Sequence, residues 1–417
     1  MHYLLPLLLC LLILPCGGWA QPPRQHLSTP QQMLTEHTVP PRDTLRLVSY
    51  NVENLFDCLD DTLKADDEYL PYGKRRWSPK RYRRKLNEVA KVLLALSREG
   101  EAPPLVALYE VENEQVLHDL TRQTPLYHAD YRILITSSAD VRGIDVALLY
   151  RPDLFRILSS RPLRANLPGQ RPTRDVLHVS GLLSPALHDT LDLFLLHLPS
   201  RMSGTHVTEP YRCHVAQAVR HALDSLTQLR QRPCFLLMGD FNEGPRGKAL
   251  TQVLRARALE ASPQRVYAQA ERNTQAQRSA DVQLQDTALY QLLSPRRPSS
   301  LRSIQGSYKF QGHWELIDHL LASGALLQQP MPRAQQVMPG QRQAAEQQSM
   351  PRLRLLPSTA QVAPLPFLLT DDRLYGGQCP QRTYYGSTYL GGPSDHLPLI
   401  VDFVISSHSE QCVNPEW

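Results

Sequence analysis

Apolar runs alternate with polar turns along most of the chain, and their periods separate predicted strands from predicted helices. Residues 79–97 carry apolar side chains every three to four positions, which predicts an amphipathic helix, and Tyr211–Gln231 repeats the pattern. Short continuous apolar runs predict buried strands at Leu45–Phe56, Leu105–Val111, Tyr131–Thr136, Ile144–Tyr150, Leu191–Leu198, Cys234–Met238 and Leu397–Ile405. Strands and helices therefore alternate, which is typical of an α/β protein.

The N-terminal residues include an apolar run at positions 3–15 that is too short to span a bilayer as a helix. Small residues and then polar, proline-rich sequence follow, which is typical of a signal peptide cleaved before Gln21. We therefore predict that residues 1–20 direct export and that the mature protein is periplasmic or secreted. A lipoprotein anchored at Cys16 is the alternative, which the preceding proline disfavours. No later run is long and apolar enough to predict a transmembrane segment.

The composition predicts one main domain with flanking segments and an insertion. Residues 21–44 are polar and rich in proline, which predicts a linker. Residues 325–366 hold repeated Gln and Pro with few large apolar side chains, too few to offset the entropy cost of ordering, so we predict a mobile insertion. The domain itself spans 45–406, and a short tail follows at 407–417.

Charge and cysteine content narrow the class of protein only modestly. The formal net charge of +5 permits an anionic substrate without requiring nucleic acid. In an oxidising compartment Cys379 can pair with Cys412 and Cys213 with Cys234, although the sequence does not decide the partners. No cysteine has CxxC spacing, which disfavours a structural zinc site.

Six polar islands follow apolar runs, where strand ends can converge on a common cleft. They are Asn51-Val52-Glu53-Asn54, Glu110 in LYEVEN, His197 in LHLPSR, Gly239-Asp240-Phe241-Asn242, Asp318 in LIDHLL and Ser394-Asp395-His396. Hydrolysis of a phosphate ester needs groups of these types, because its charge must be neutralised, a water oriented and the leaving oxygen stabilised. One island alone is weak evidence, since an aspartate in a turn more often caps backbone amides. Their joint occurrence predicts an active site.

The acidic and amide side chains predict a metal site and a nucleophilic water. Glu110 and Asp395 offer the oxygen ligands that Mg²⁺ prefers, with Mn²⁺ and Ca²⁺ as alternative ions. Asp240 and Asn242 lie two residues apart on an extended segment, so they point the same way and can grip one water.

The basic side chains predict phosphate binding and proton transfer. His197 and His396 can donate hydrogen bonds to phosphate oxygens, and Asp318 is the predicted carboxylate that orients a histidine. Three further candidates can clamp substrate phosphates, with structural ion pairs as the alternative role: Arg142, Arg174 and Arg201.

The motifs SYNVENLFD, LYEVEN, LHLPSR, MGDFNEGP, ELIDHLLAS and GPSDHLPLIVDF, in this order, resemble the endonuclease/exonuclease/phosphatase superfamily. The resemblance runs from about Leu45 to Phe403 and looks closest to exported bacterial members that share the NVENLFD opening. It implies a four-layered α/β sandwich of two facing mixed β-sheets with outer helices. That fold replaces the doubly wound parallel sheet which strand–helix alternation alone would suggest.

The resemblance also implies roles at the metal site. Glu110 would be the principal metal ligand, Asn51 would lie in the shell of metal and phosphate, and Asp395 would approach the metal. Asp240 would orient or deprotonate the nucleophilic water. Glu53 stands where some members carry Asp, and its longer arm could reach the metal or cap a turn.

The sequence therefore predicts an exported Mg²⁺-dependent phosphoesterase that acts as a monomer. The preferred substrate is nucleic acid, hydrolysed as by a nuclease or phosphodiesterase through in-line attack of water. A lipid headgroup or a small phosphorylated metabolite is the alternative substrate. A non-catalytic binding protein that retains the fold is the alternative from a different class.

Overall fold

The computed structural model describes residues 44–165, 167, 169, 172–183, 189–259, 284–294, 304–328 and 352–405. The predicted signal peptide and C-terminal tail lie outside these residues, as do positions 21–43 of the predicted linker. Within the described ranges no helix is long and apolar enough to cross a membrane.

Two mixed β-sheets face each other. The first consists, in order across the sheet, of β14 (Leu353–Val362), β19 (Leu399–Ile405), β1 (Thr44–Leu55), β2 (Leu105–Val111), β4 (Asp145–Tyr150) and β3 (Arg132–Ile135). The second consists of β5 (Phe155–Leu163), β6 (Val176–Leu183), β7 (Leu191–His197), β8 (Cys234–Asp240), β13 (Asp318–Ser323), β10 (Leu289–Gln291) and β9 (Arg257–Ala258). The pairs β1–β2, β7–β8 and β9–β10 are parallel, and the other neighbouring strands are antiparallel.

Helices and short hairpins surround the sheets. The α-helices of the described ranges are α1 (Pro79–Ala95), α2 (Glu114–Arg122), α3 (Thr205–Leu229) and the single turn α4 (Gly324–Leu327). The hairpins pair β11 (Tyr308–Phe310) with β12 (His313–Glu315), β15 (Leu369–Asp371) with β16 (Gln378–Pro380), and β17 (Tyr384–Tyr385) with β18 (Thr388–Tyr389).

The packing of these elements gives four layers. Apolar faces of the two sheets meet in one core, to which β2 contributes Leu105 and β8 contributes Leu236. The other face of the first sheet packs against α1, where Val89 is fully buried. The other face of the second sheet packs against α3, where Val219 is fully buried. The structure thus confirms the predicted four-layered α/β sandwich.

The helix predicted at 211–231 begins earlier, at Thr205, and runs through Pro210. A proline inside a helix removes one backbone hydrogen bond, which is why the sequence predicted a helix that begins only after Pro210. Near the start of the helix, the buried Arg212 donates to the hydroxyl of Thr208 at 2.7 Å and to the carbonyl oxygen of Thr205 at 3.1 Å. These contacts hold the first turns of α3 together.

The predicted mobile insertion at 325–366 needs correction, because part of it is regular structure. Residues 353–362 form β14 and pair with β19, while 329–351 lie outside the described residues. Leu353 and Leu355 alternate along β14 and are buried in the core between the sheets. Pro357 is tolerated because β14 is an edge strand whose register shifts between Leu356 and Gln361.

The cysteine pairing considered between Cys213 and Cys234 is not formed. Cys213 lies on α3, whereas Cys234 begins β8 and is buried between the sheets. Cys379 is also a free thiol, and Cys412 lies outside the described residues.

Candidate active site

Strand ends from both sheets meet at one edge of the sandwich. β7 and β8 run parallel with His197 opposite Asp240, and β13 places Asp318 on the other side of Asp240. In the facing sheet β1 and β2 also run parallel, and Asn51 and Glu110 lie near their ends. Because parallel neighbours end at the same edge, the predicted islands come together.

Four of these side chains form a compact group suited to bind a metal ion. Asn51 Nδ2 lies 3.2 Å from both Glu110 Oε1 and Asp240 Oδ2. His197 Nε2 lies 3.7 Å from the same two carboxylate oxygens. One ligand atom from each of Glu110, His197 and Asp240 lies within 4.8 Å of the other two. Carboxylate oxygens suit Mg²⁺ and Mn²⁺, and an imidazole suits several transition-metal ions, so the residues present fit a divalent cation.

A distorted stretch of β1 and β2 aims Glu110 into this group. The register between the two strands shifts after Asn51, and Glu110 has a left-handed backbone with φ of 66°. Asn54 is left-handed as well, and it donates its backbone N–H to Glu110 Oε2 at 2.9 Å. Irregularities of this kind re-aim a side chain, so Glu110 points into the cleft.

The backbone before Asp240 is fixed by the close approach of β7. Gly239 has φ of 144°, and a Cβ there would lie 1.8 Å from the Leu196 carbonyl oxygen. Asn242 donates its backbone N–H to Asp240 Oδ1 at 2.8 Å and its side-chain Nδ2 to the Leu198 carbonyl oxygen at 3.0 Å. Asn242 therefore positions Asp240, and the two side chains do not simply project side by side as the extended-segment argument assumed.

The pKa of the Asp240 carboxyl is shifted toward neutral pH. Burial raises the pKa of Asp240 to about 7, with the nearby Asp318 carboxylate as the next cause. Its Oδ2 faces Asn51, His197 and His396, whereas Oδ1 accepts the backbone N–H described above. A carboxylate with a pKa near neutral and one oxygen directed into the cleft is well placed to take a proton.

His396 is held by a carboxylate, as the sequence predicted for Asp318. Its Nδ1 lies 2.7 Å from Asp318 Oδ2, and Ser307 Oγ donates to the same carboxylate oxygen. Burial alone would lower the pKa of His396, but Asp318 outweighs burial and holds that pKa well above its usual range. His396 Nε2 points toward Asp240 Oδ2 at 3.8 Å.

The pKa of His197 is shifted in the opposite direction to that of His396. Burial, reinforced by the positive charges of Arg174 and Arg142, holds the pKa of His197 well below its usual range. Its Nδ1 is buried without a hydrogen-bond partner among the described residues, which leaves Nε2 facing the carboxylates. The site thus combines one histidine that stays neutral with one that favours the protonated form.

Two predicted metal ligands stand apart from the compact group. Both carboxylate oxygens of Glu53 accept backbone N–H groups, from Thr383 at 2.6 Å and from Tyr384 at 3.2 Å. The structure therefore gives Glu53 the capping role and does not place it with the metal-ligand atoms. Asp395 lies beside His396, with 4.0 Å between Oδ1 and the imidazole Nε2, and its side chain is one-fifth exposed.

The three predicted phosphate-binding arginines are already paired. Arg174 is buried, lies 3.0 Å from Asp140 and donates to the carbonyl oxygens of His197 and Leu198. Arg142 also binds Asp140, donating to both of its carboxylate oxygens, and its side chain is 42% exposed. Arg201 forms an ion pair with Glu315. Arg174 thus supports the end of β7, whereas the other two remain partly accessible.

Some neighbours of the site could not be identified from the pattern of apolar and polar residues in the sequence. Ser307 is buried and bonds Asp318, and the Tyr308 ring lies 4.8 Å from the His396 ring between centroids. Ser394 donates to the Asn51 carbonyl oxygen at 2.7 Å and accepts the His396 N–H at 3.0 Å. Ser394 belongs to the predicted island Ser394-Asp395-His396, whereas Ser307 and Tyr308 lie in no predicted island.

Comparisons with known proteins place the chain in a family. The model of the Endonuclease/Exonuclease/phosphatase family matches residues 46–287 and 271–404. No curated protein matches the chain. Similar solved structures include truncated TDP2 from Caenorhabditis elegans, at 12% identity and TM-score 0.45, covering 87% of this chain and 98% of that one.

Two further structures show the same extent of similarity. The human Nocturnin catalytic domain with bound sulfate anion shares 15% identity with TM-score 0.43, covering 88% of this chain and 97% of its own. An endonuclease/exonuclease/phosphatase family protein from Bacteroides thetaiotaomicron shares 14% identity with a TM-score of 0.44. The similarity covers 87% of this chain and 98% of that one. On the match of the family model over most of its length, this chain belongs to the endonuclease/exonuclease/phosphatase family.

Proposed function

We propose that the protein is an exported, Mg²⁺-dependent phosphodiesterase that hydrolyses nucleic acid as a monomer. The observation that carries the proposal is the convergence of Glu110, His197 and Asp240 next to the Asp318–His396 pair. Mn²⁺ or Ca²⁺ would suit the same oxygen donors as alternative ions. The N-terminal apolar run and the net charge of +5 support export and an anionic substrate.

The metal would be held by Glu110, with Asn51 beside it and Asp395 as a further candidate ligand. When bound, a divalent ion neutralises negative charge on the phosphate and stabilises the charge that develops on its oxygens. Side chains of the protein would carry out the remaining steps of the reaction.

Asp240 would orient the attacking water and accept its proton, because Oδ2 faces the cleft and burial raises the pKa of its carboxyl to about 7. His396, kept protonated by Asp318, would give its Nε2 proton to the leaving oxygen as the P–O bond breaks. His197 Nε2 and the Asn51 amide would hold the remaining oxygens. Attack in line with the leaving oxygen requires no covalent intermediate.

The decisive experiment incubates the mature protein, from Gln21 onward, with plasmid DNA, with and without Mg²⁺ and EDTA. The Asp240→Asn variant serves as the matched control, because it keeps the shape of the side chain and removes its charge. Metal-dependent nicking that the variant lacks supports the proposal. Intact DNA contradicts the nuclease activity. A lipid headgroup or a small phosphorylated metabolite is then the preferred substrate, and bis-p-nitrophenyl phosphate is the first compound to test.

Full turnover of any phosphoester by the Asp240→Asn variant would contradict the mechanism. An absence of turnover on every phosphoester would instead favour a binding protein that retains the fold. Export is tested separately, by N-terminal sequencing of protein recovered outside the cytoplasm, which should begin at Gln21.

A further inference from the structure

The buried amine of Lys85 contacts two segments near the proposed metal site, the end of β1 and the chain around Thr383. Lys85 projects from α1 and is only 2% exposed, which is rare for a lysine. Its Nζ donates to the Glu53 carbonyl oxygen at 3.0 Å and to the hydroxyl of Thr383. No site residue predicted from the sequence lies on α1, and the proposed mechanism uses neither contact.

The first contact reaches Glu110 through the turn at the end of β1. Glu53 and Asn54 have left-handed backbones, with φ of 47° and 53°. L-residues with side chains adopt this conformation only when their surroundings impose it. By binding the Glu53 carbonyl, Lys85 holds the turn in which Asn54 presents its N–H to Glu110 Oε2.

The second contact reaches the loop that carries Asp395 and His396. Thr383 Oγ1 donates to the Gly392 carbonyl oxygen at 3.0 Å, three residues before Asp395. The Glu53 carboxylate binds the same region, because it accepts the backbone N–H groups of Thr383 and Tyr384. The loop is therefore fixed to the end of β1 at several points.

We propose that Lys85, Glu53 and Thr383 form a positioning clamp, which fixes Glu110 in the metal site and also fixes the loop that carries Asp395 and His396. The inference rests on the proposed function, because it assigns these residues to the same metal site. The clamp residues touch neither metal nor substrate. Removing groups that orient metal ligands typically weakens metal binding by about 10- to 100-fold.

The test measures Mn²⁺ binding to the full chain by the EPR signal of free Mn²⁺, together with thermal unfolding in EDTA. Glu53→Gln and Lys85→Met should each weaken Mn²⁺ binding by about tenfold or more. Thr383→Val, which is uncharged and nearly isosteric, should keep the fold and weaken binding severalfold. Asp402→Asn is the matched control, because Asp402 is a buried carboxylate bonded to Arg46 near the opposite end of β1.

The double variant Glu53→Gln/Lys85→Met separates positioning from stability. Each single variant leaves a buried charge without its partner, whereas the double variant removes both charges and should recover thermal stability. Mn²⁺ binding should stay weak, since the hydrogen bonds remain lost, and saturating Mn²⁺ should restore most of kcat. Wild-type Mn²⁺ affinity in the double variant or in Thr383→Val would overturn the clamp. A wild-type protein that binds no Mn²⁺ would instead refute the proposed function, before any variant is compared.

Discussion

His396 Nδ1 and Asp318 Oδ2 lie 2.7 Å apart, and this hydrogen bond joins the loop before β19 in one sheet to the first residue of β13 in the other. The bond fixes the direction of the imidazole, so that Nε2 points toward the cleft. It also places a negative charge beside the ring, which favours the protonated imidazole despite its burial.

Replacing Asp318 by Asn should separate these two effects. The amide can still accept from Nδ1, but it lacks the charge that raises the pKa of His396, so less of the imidazole is protonated. We expect kcat to fall by about 10²- to 10⁴-fold, as for loss of a general acid, with the circular dichroism spectrum unchanged. Steady-state nicking of plasmid DNA measures the effect, because its alkoxide leaving group needs a proton, and an unchanged kcat would contradict the role of the pair.

Asp240→Asn should stabilise the metal-free protein while abolishing its activity. The folded-state pKa of about 7 exceeds the ordinary value of 3.8. The contribution of Asp240 is therefore most favourable below pH 3.8 and is lost as pH rises through 7, because the buried group must ionise. In EDTA at pH 8 the variant should melt at a higher temperature than the wild type, with the gap closing toward pH 4. Equal melting curves at pH 8 would contradict the burial penalty.

His319 should make the fold sensitive to acid. It is buried, its Nε2 bonds the Glu243 carbonyl oxygen at 2.9 Å, and burial lowers its pKa to about 4. The folded-state pKa lies below the ordinary value of 6.5, so this stability is present above pH 6.5 and falls by about 3 kcal/mol as pH drops toward 4. His319→Gln should flatten urea-unfolding free energies between those pH values. The exposed His313 supplies the control, and His313→Gln should leave the profile unchanged.

Arg174→Met should destabilise the fold far more than Arg142→Ala. Arg174 is buried against Asp140 and two backbone carbonyl groups, so its loss leaves a buried carboxylate and unpaired acceptors. Breaking a buried pair on one side typically costs about 3–5 kcal/mol. The more exposed Arg142 should cost at most about 1 kcal/mol. Urea unfolding compares the two, and similar losses would contradict the structural role of Arg174.

The sequence alone determined the main elements and the identity of the site. Strand β2 was predicted with its observed bounds, and β1, β7, β8 and β19 within two residues at each end, because buried central strands read as continuous apolar runs. Glu110, His197, Asp240 and His396 were identifiable because each lies at or near an end of such a strand, and Asp318 because it interrupts the apolar run LIDHLL. Strand ends of one sandwich meet, so the order of the motifs already implied a shared cleft.

Only the tertiary structure decided what each polar side chain contacts. Glu53 turns away from the metal-ligand atoms because its partners, Thr383 and Tyr384, lie more than 300 residues later in the chain. Arg174 is bound by Asp140 and strand ends, and β14 forms because β19 offers an unpaired edge. Hydrogen bonds and edges of this kind connect segments far apart in sequence, and local periodicity carries no information about them.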